Sequence, residues 1–291
     1  MSDKTRRYAL LEGVAAGTLF GTAAIFIRLV DVNVFSIALW RLIVASAALA
    51  VMILAFTKRM HIQSITRNPV HFSVLGVLLG IHFLLFISSV KDTTILNAAV
   101  LVNTTPIFSM LVSVFLYRVK PSKLALCGIA VSFIGAGLIA YGDAGPDKRA
   151  NLVGDLEAVL AAIAEGFYLN YGAKRRRQLP PVLTMLFVYL AAALTVGVTS
   201  FFARATFEMA GSVETLLPLV GLGILPTAMA HTLYFSSLSH LKSFETATMA
   251  LLEPVGATLL GIAVFSELPA PVFIVGAALV LTGIVSIAEG K

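Results

Sequence analysis

The sequence predicts an all-α membrane protein, ten transmembrane helices arranged as two inverted five-helix repeats, residues 1–150 and 151–291. Three observations carry this. Of 291 residues, 58% are hydrophobic and only 12% charged, with a mean hydropathy of +0.94; a soluble domain carries roughly 25% charged residues. Apolar runs of about 20 residues, the length that crosses a hydrocarbon core about 30 Å thick, recur along the whole chain. The chain also matches itself: a shift of 148 lays Pro106 on Pro254, Pro121 on Pro269, Gly128 on Gly276, Gly135 on Gly283 and Gly142 on Gly290 without a gap. Apolar composition alone produces chance Ala and Leu matches, but each proline or glycine marks a backbone event.

Composition narrows the function classes. In a chain this apolar, the net charge of +6 is a topology signal, and nucleic-acid binding is excluded as its reading. The single cysteine, Cys127, rules out an internal disulfide and a multi-cysteine metal site. Arg6-Arg7 ahead of an apolar run has the look of a signal peptide, but the spans that follow make the first one a retained helix.

In chain order the expected spans are 8–29, 35–56, 70–90, 94–117, 121–142, 153–173, 181–203, 215–238, 243–265 and 269–289. The connections are short, so consecutive helices are antiparallel neighbours. Counted on alternate sides, fifteen Lys and Arg fall on one side and five on the other, with Arg41 inside a span. That bias places both termini in the cytoplasm. Five spans per repeat is an odd number, so the second copy enters the membrane from the opposite side. The first helices match at a shift of 145, with Glu12, Val14 and Gly21 on Glu157, Val159 and Gly166. Inverted repeats with a midplane site at their interface are a recurrent plan of secondary transporters.

Polar groups at membrane depth are expensive, so each raises a functional reading beside a packing one. His82 and Phe86 share a face of the third span, and the 148 shift sets Tyr234 opposite Phe86. That pair is either a platform for a flat substrate or plain interhelical packing. His231 and Tyr234 share a face of the eighth span, just after Pro226, where the helix is expected to bend. His231 corresponds to Phe83, off the His82–Phe86 stripe, so the two histidines need not meet. Glu165, Tyr168 and Tyr171 are spaced by three on the sixth span, and Glu165 is the candidate partner for a substrate ammonium. Asn103 precedes Pro106 and is a candidate substrate contact, whereas Thr105 and Glu253, directly before Pro106 and Pro254, read as satisfying the carbonyls those prolines free. Glu12 and Glu157 read as reaching headgroups. Arg41 beside Trp40 either snorkels to the interface or pairs with a buried carboxylate. Gly76, Gly80, Gly128 and Gly135 read as close helix contacts. The substrate-site residues are thus His82, Phe86, Asn103, Glu165, Tyr168, His231 and Tyr234, on a cavity lined by spans 1, 3, 4, 6, 8 and 9.

Rival classes find little support. No phosphate-binding glycine loop is present. A membrane-embedded enzyme needs a nucleophile with its base, paired aspartates or a metal cluster; Tyr141-Gly142-Asp143 has no partner aspartate inside a span, and the five histidines lack metal-ligand spacing. No catalytic residue, metal or cofactor is expected. A channel would need a ring of charges or a repeated filter loop.

With these residues in view, the chain resembles the drug/metabolite transporter superfamily, in particular its ten-helix EamA-type members, over nearly its whole length. The resemblance is carried by Leu241-Lys242, Thr246-Ala247, Leu251-Leu252-Glu253-Pro254, Glu267, Gly276 and Gly283, with Pro106, Pro121, Gly128 and Gly135 repeating the signature and Arg41 matching the family's arginine in helix 2. Departures are Arg118-Val119 where a glutamate is usual, and Phe20 and Glu165 in place of tryptophans. Within the superfamily the chain is most similar to exporters of amino acids and related metabolites, the YddG-like aromatic amino-acid exporters among them. The resemblance implies alternating-access export across a bacterial inner membrane. The implied partners are a small-molecule substrate and membrane lipid, without nucleic acid, and a monomer is sufficient.

Overall fold

The computed structural model describes residues 3–56, 69–142, 151–174, 176, 180–208, 211–265 and 271–289. The Ser266-Glu267-Leu268-Pro269 step, Gly290, Asp143 and several of the counted charges, Arg67 and Arg175 among them, lie outside these residues. Every regular element among the described residues is helical: α1 (Asp3–Phe20), α2 (Ala23–Leu29), α3 (Val34–Phe56), α4 (Pro69–Asp92), α5 (Ile95–Val102), α6 (Thr105–Phe115), α7 (Lys123–Gly142), α8 (Leu152–Ala173), α9 (Pro181–Ala203), α10 (Val213–Leu222), α11 (Thr232–Ser237), α12 (Ser243–Met249), α13 (Glu253–Phe265) and α14 (Val272–Glu289). Wide π-type turns at Gly223–His231 join α10 to α11, and a 3-10 turn at Ala250–Leu252 joins α12 to α13.

Seven rods among the described residues are long and apolar enough to cross a membrane: Thr5–Leu29, Val34–Phe56, Pro69–Asp92, Asn97–Phe115, Pro181–Ala203, Val213–Ser237 and Val272–Glu289. Lys123–Ile139 is a shorter apolar helix. Two other expected spans differ for physical reasons. The helix α8 carries Asp155, Glu157, Glu165 and Asn170, and the segment 243–265 is interrupted by its 3-10 turn.

Breaks fall where the sequence placed proline or glycine. The α5–α6 break at Asn103-Thr104 precedes Pro106, and side chains take up the local carbonyls: Asn103 Nδ2 donates to Ala99 O (2.8 Å), Thr104 Oγ1 to Leu101 O (2.5 Å) and Thr105 Oγ1 to Val102 O (2.8 Å). This is how irregular backbone persists at membrane depth. The 3-10 turn before Pro254 sits at the corresponding positions under the 148 shift. Pro226 lies inside the wide turns, where Thr227 Oγ1 donates five residues back to Leu222 O (2.6 Å). Such bulges often mark functional positions.

Helices α7 and α14 pack antiparallel through small residues. A Cβ on Gly128 would stand 2.6 Å from Gly283 O, and one on Gly135 2.6 Å from Gly276 O, so only glycine permits this approach. Between them Ser132 Oγ donates to Val280 O (3.2 Å), and these two positions are each other's equivalents. Such reciprocal contact between antiparallel equivalents is the pattern of a local two-fold axis across the helices. Packing elsewhere repeats it: α8 lies against α4, α5 and α6, while α1 lies against α11, α12 and α13.

Candidate functional site

At the centre of the bundle the helix breaks converge on a cavity of about 430 Å³, counting all atom-free space up to its mouth. Its wall comprises Phe20, Ala23, Arg41, His82, Phe83, Phe86, Val102, Asn103, Thr105, Glu165, His231, Ala250 and Glu253. Eight of these form equivalent pairs: Val102 with Ala250, Thr105 with Glu253 and Phe83 with His231 at a shift of 148, and Phe20 with Glu165 at 145. The cavity wall is thus built in part from positions that correspond between the two halves.

Several polar wall residues are held by neighbours. Glu165 Oε2 lies 3.3 Å from Thr105 Oγ1 and 3.8 Å from His82 Nδ1. His82 Nδ1 is 3.0 Å from Ala161 O, which makes it the protonated ring nitrogen. Glu253 Oε2 accepts from Asn103 Nδ2 (3.2 Å), so the Asn103–Thr105 break touches both cavity carboxylates. Aromatic rings close the rest: Phe86 stacks on His82 with centroids 6.1 Å apart, while Phe20 and Phe83 meet the edges of His231 at 4.7 and 4.9 Å.

Of the seven residues expected at the site, His82, Phe86, Asn103, Glu165 and His231 line the cavity. Tyr168 and Tyr234 stand behind the wall. Three residues beyond Glu165 the α-helix is about 60° short of a full turn, and the Tyr168 hydroxyl donates to Met185 Sδ (3.3 Å) while its ring meets Phe235. Tyr234 is fully buried with its edge on Phe20 (5.1 Å), so it does not face Phe86 as a matched platform. Tyr171, expected on the Glu165 face, stacks on His71 at 4.9 Å. The two histidines do meet, with ring centroids 6.2 Å apart. A cavity shared by many helices exposes a wide arc of α4, so adjacent His82 and Phe83 both border it, and the equivalent of Phe83 comes with them.

Other expectations also change. Arg41 does not snorkel, and among the described residues it pairs with no carboxylate: it is 1% exposed and adds the second expected span to the wall. Thr105 does bind a carbonyl, yet it and Glu253 also face the cavity. Glu12 and Glu157 are engaged within the protein, accepting from Ser236 Oγ (3.0 Å) and Ser88 Oγ (2.8 Å). A signal for Thr105 and Phe20 existed in the sequence, since the two shifts pair them with the glutamates Glu253 and Glu165. Arg41 stood out as a cation inside a span, but no sequence feature showed its direction.

Two carboxylates, a guanidinium and two imidazoles among aromatic rings can engage a dipolar ligand from both its poles. Comparison with known proteins agrees with the architecture. The model of the EamA-like transporter family matches twice, over residues 7–141 and 152–288. The chain is 28% identical over 85% of its length to the uncharacterized transporter YdfC of Bacillus subtilis, covering 79% of that protein. It is 23% identical to the uncharacterized transporter YxxF of the same organism, covering 89% of this chain and 83% of that protein. An uncharacterized transporter of Archaeoglobus fulgidus is 23% identical, covering 96% and 95%. A solved crystal structure shares the fold, with a TM-score of 0.78 at 20% identity over 97% of both chains. With its family signature present in both halves, the chain belongs to the EamA-like transporter family, within the drug/metabolite transporters.

Proposed function

We propose that this protein is a secondary transporter that exports small metabolites, amino acids first and aromatic ones favoured, across a bacterial inner membrane by alternating access. On this reading ten spans form two inverted five-helix repeats, 1–150 and 151–291, with both termini cytoplasmic, and the central cavity is the substrate site. The observation that carries it is the cavity wall itself, where the two halves bring carboxylates, a guanidinium and aromatic rings together. Glu165, backed by Thr105 and His82, takes the substrate ammonium; Asn103, His231 and Phe86 complete the contacts. Tyr168 and Tyr234 support the wall from behind.

The test is uptake of radiolabelled amino acids into liposomes holding the purified protein, with and without an imposed pH gradient. Uptake down the substrate gradient alone identifies a facilitator. Accumulation that requires the pH gradient makes Glu165 and His82 proton carriers. An intact protein that moves no amino acid refutes the substrate assignment.

A second reading, export of organic cations such as drugs, is favoured by one observation: the cavity wall holds two carboxylates and a single guanidinium. It predicts uptake of hydrophobic amines that lack a carboxylate, in preference to the parent amino acids.

A further inference from the structure

Arg41 is the least expected member of the cavity wall. Its Nε donates to Thr227 Oγ1 (3.0 Å), and its guanidinium lies over the Phe83 ring, 3.8 Å from the centroid. Thr227 is itself fixed, for its hydroxyl donates to Leu222 O (2.6 Å) and its carbonyl accepts from the Tyr189 hydroxyl (2.6 Å). The fork is therefore aimed before any ligand arrives. Its Nη1 is buried without a hydrogen-bond partner, and among the described residues Arg41 forms no ion pair. Glu165 and Glu253 are engaged elsewhere, by Thr105 and His82 and by Asn103. Across Phe83, His231 is 4% exposed, and its Nδ1 is equally without a partner. A buried guanidinium with no counter-charge is strongly unfavourable, so the arrangement is complete only with an anion.

We propose that Arg41, with His231 beside it, is an anion subsite of the cavity that takes the carboxylate of the transported molecule. This rests on the transporter reading above and gives the substrate a direction. Its carboxylate lies at Arg41 and His231, its apolar part along Phe20, Phe83 and Phe86, and its ammonium toward Glu165. A planar guanidinium matches a carboxylate with two parallel hydrogen bonds, which a lysine in its place would not reproduce.

The experiment uses the full chain in lipid nanodiscs and probes built on one skeleton: L-phenylalanine, 3-phenylpropionate, which lacks the ammonium, and phenethylamine, which lacks the carboxylate. Affinities are measured for the wild type, Arg41→Gln and Arg41→Lys. The wild type should bind 3-phenylpropionate. Arg41→Gln should weaken it by about tenfold or more, Arg41→Lys by less, and phenethylamine should change by no more than about twofold. The wild-type measurement stands even if a variant does not fold: absent binding of 3-phenylpropionate overturns the subsite. So does an Arg41→Gln protein of unchanged melting temperature that binds all three probes as before or loses all three equally. Exchanging chloride for gluconate separates the sources of anion. Chloride binding that depends on Arg41, with no binding of 3-phenylpropionate, assigns the site to an inorganic ion and overturns the substrate assignment. Phenylalanine uptake in proteoliposomes separates this inference from the one it rests on. Uptake with an unchanged KM in Arg41→Gln removes the subsite and leaves the transporter reading. Arg41-dependent binding of 3-phenylpropionate without amino-acid uptake does the reverse.

Discussion

The two ends of the bundle are built from equivalent positions and closed by different chemistry. At the end holding the N-terminus, Arg6 reaches Glu245 with two hydrogen bonds of 3.2 and 3.3 Å, and Glu245 also caps the start of α12 by accepting from Lys242 N (2.8 Å). At the opposite end the position of Glu245 is held by Asn97, whose amide donates to Asp155 (3.0 Å), and Thr93 Oγ1 donates to the same carboxylate (2.8 Å). Outside these clasps the match is closer: Ser236 donates to Glu12 at one end and Ser88 to Glu157 at the other, at equivalent positions. Apart from the Lys242 cap, each of these bonds joins one half of the chain to the other. The comparison teaches that duplication preserved the backbone register while the charge on it diverged. One end is held by an ion pair and the other by neutral donors to a carboxylate. Nearby, burial lowers the pKa of the Arg176 guanidinium from its ordinary value, opposed by the Glu12 charge.

The largest effect should come from the helix contacts beneath the clasps. A Cβ on Gly21 would stand 2.6 Å from Glu253 O and 2.7 Å from the Gly256 carbonyl carbon, both immovable backbone of α13. At the equivalent Gly166 the nearest atoms, Ser109 N and the Phe108 carbonyl carbon, are 3.0 and 3.2 Å away. Gly21→Ala should therefore cost about 3 kcal/mol, the upper range for overpacking, and Gly166→Ala about 1 kcal/mol. Thermal unfolding in detergent measures both, and equal losses would show that the seams yield alike.

Next in size is the ionic clasp. Glu245 is 1% exposed, so Arg6→Gln leaves a buried carboxylate without its cation. The loss should be about 2 kcal/mol, less than for a fully buried pair because the Arg6 side chain is 19% exposed. Asn97→Leu at the other end should cost about 1 kcal/mol, the scale of a neutral donor lost to a carboxylate that keeps Thr93. Salt sharpens the contrast: raising ionic strength should weaken the Arg6 end and leave the Asn97 end unchanged, since only the former is a partly exposed ion pair. Engineered cysteines near each end in a Cys127→Ser background, labelled by aqueous thiol reagents across a salt series, report this. A parallel response at both ends would remove the distinction.

How much of this could be read in advance follows from which interactions are local. The rods were legible because apolar length and proline position act within one segment, and the breaks at Asn103-Thr104 and before Pro254 fall where the prolines demand them. Most of the cavity residues were legible because a polar group at membrane depth is conspicuous wherever it points. Direction was harder. Tyr168 shares a spacing with Glu165, yet its hydroxyl is claimed by Met185 on another helix, a contact with no trace in local sequence. Arg41 has the same neighbours in sequence whether it snorkels or is buried. What decides is the Thr227 hydroxyl and the Phe83 face, contributed from 186 and 42 positions away. Glu253 read as a helix-break residue from its place before Pro254, whereas the side chain accepts from Asn103 and faces the cavity, a placement that shows only when the two halves are superposed.

The smallest effect is the most discriminating, because the two serine latches keep the same bond to a glutamate at both ends, although Ser236 Oγ also accepts from Arg176 Nη2 (3.0 Å) and Ser88 Oγ lies 3.3 Å from Asp92. Ser236→Ala and Ser88→Ala each remove one hydroxyl donor to a carboxylate, at 3.0 and 2.8 Å, and should each cost about 1 kcal/mol of stability. Their effects on the open states should nevertheless be opposite. A latch across one end resists opening only there, so losing it favours the state open at that end by the same free energy. A bias of about 1.4 kcal/mol is a tenfold change in the ratio of the two states, so a latch worth about 1 kcal/mol moves that ratio roughly fivefold. Thiol labelling at the N-terminal end should rise in Ser236→Ala and fall in Ser88→Ala, and the double variant should return close to the wild-type ratio while losing both stabilities. If both single variants shift labelling in the same direction, the serines are packing donors and the two ends are not opposed. The double variant separates these cases because a stability effect adds whereas an opposed bias cancels.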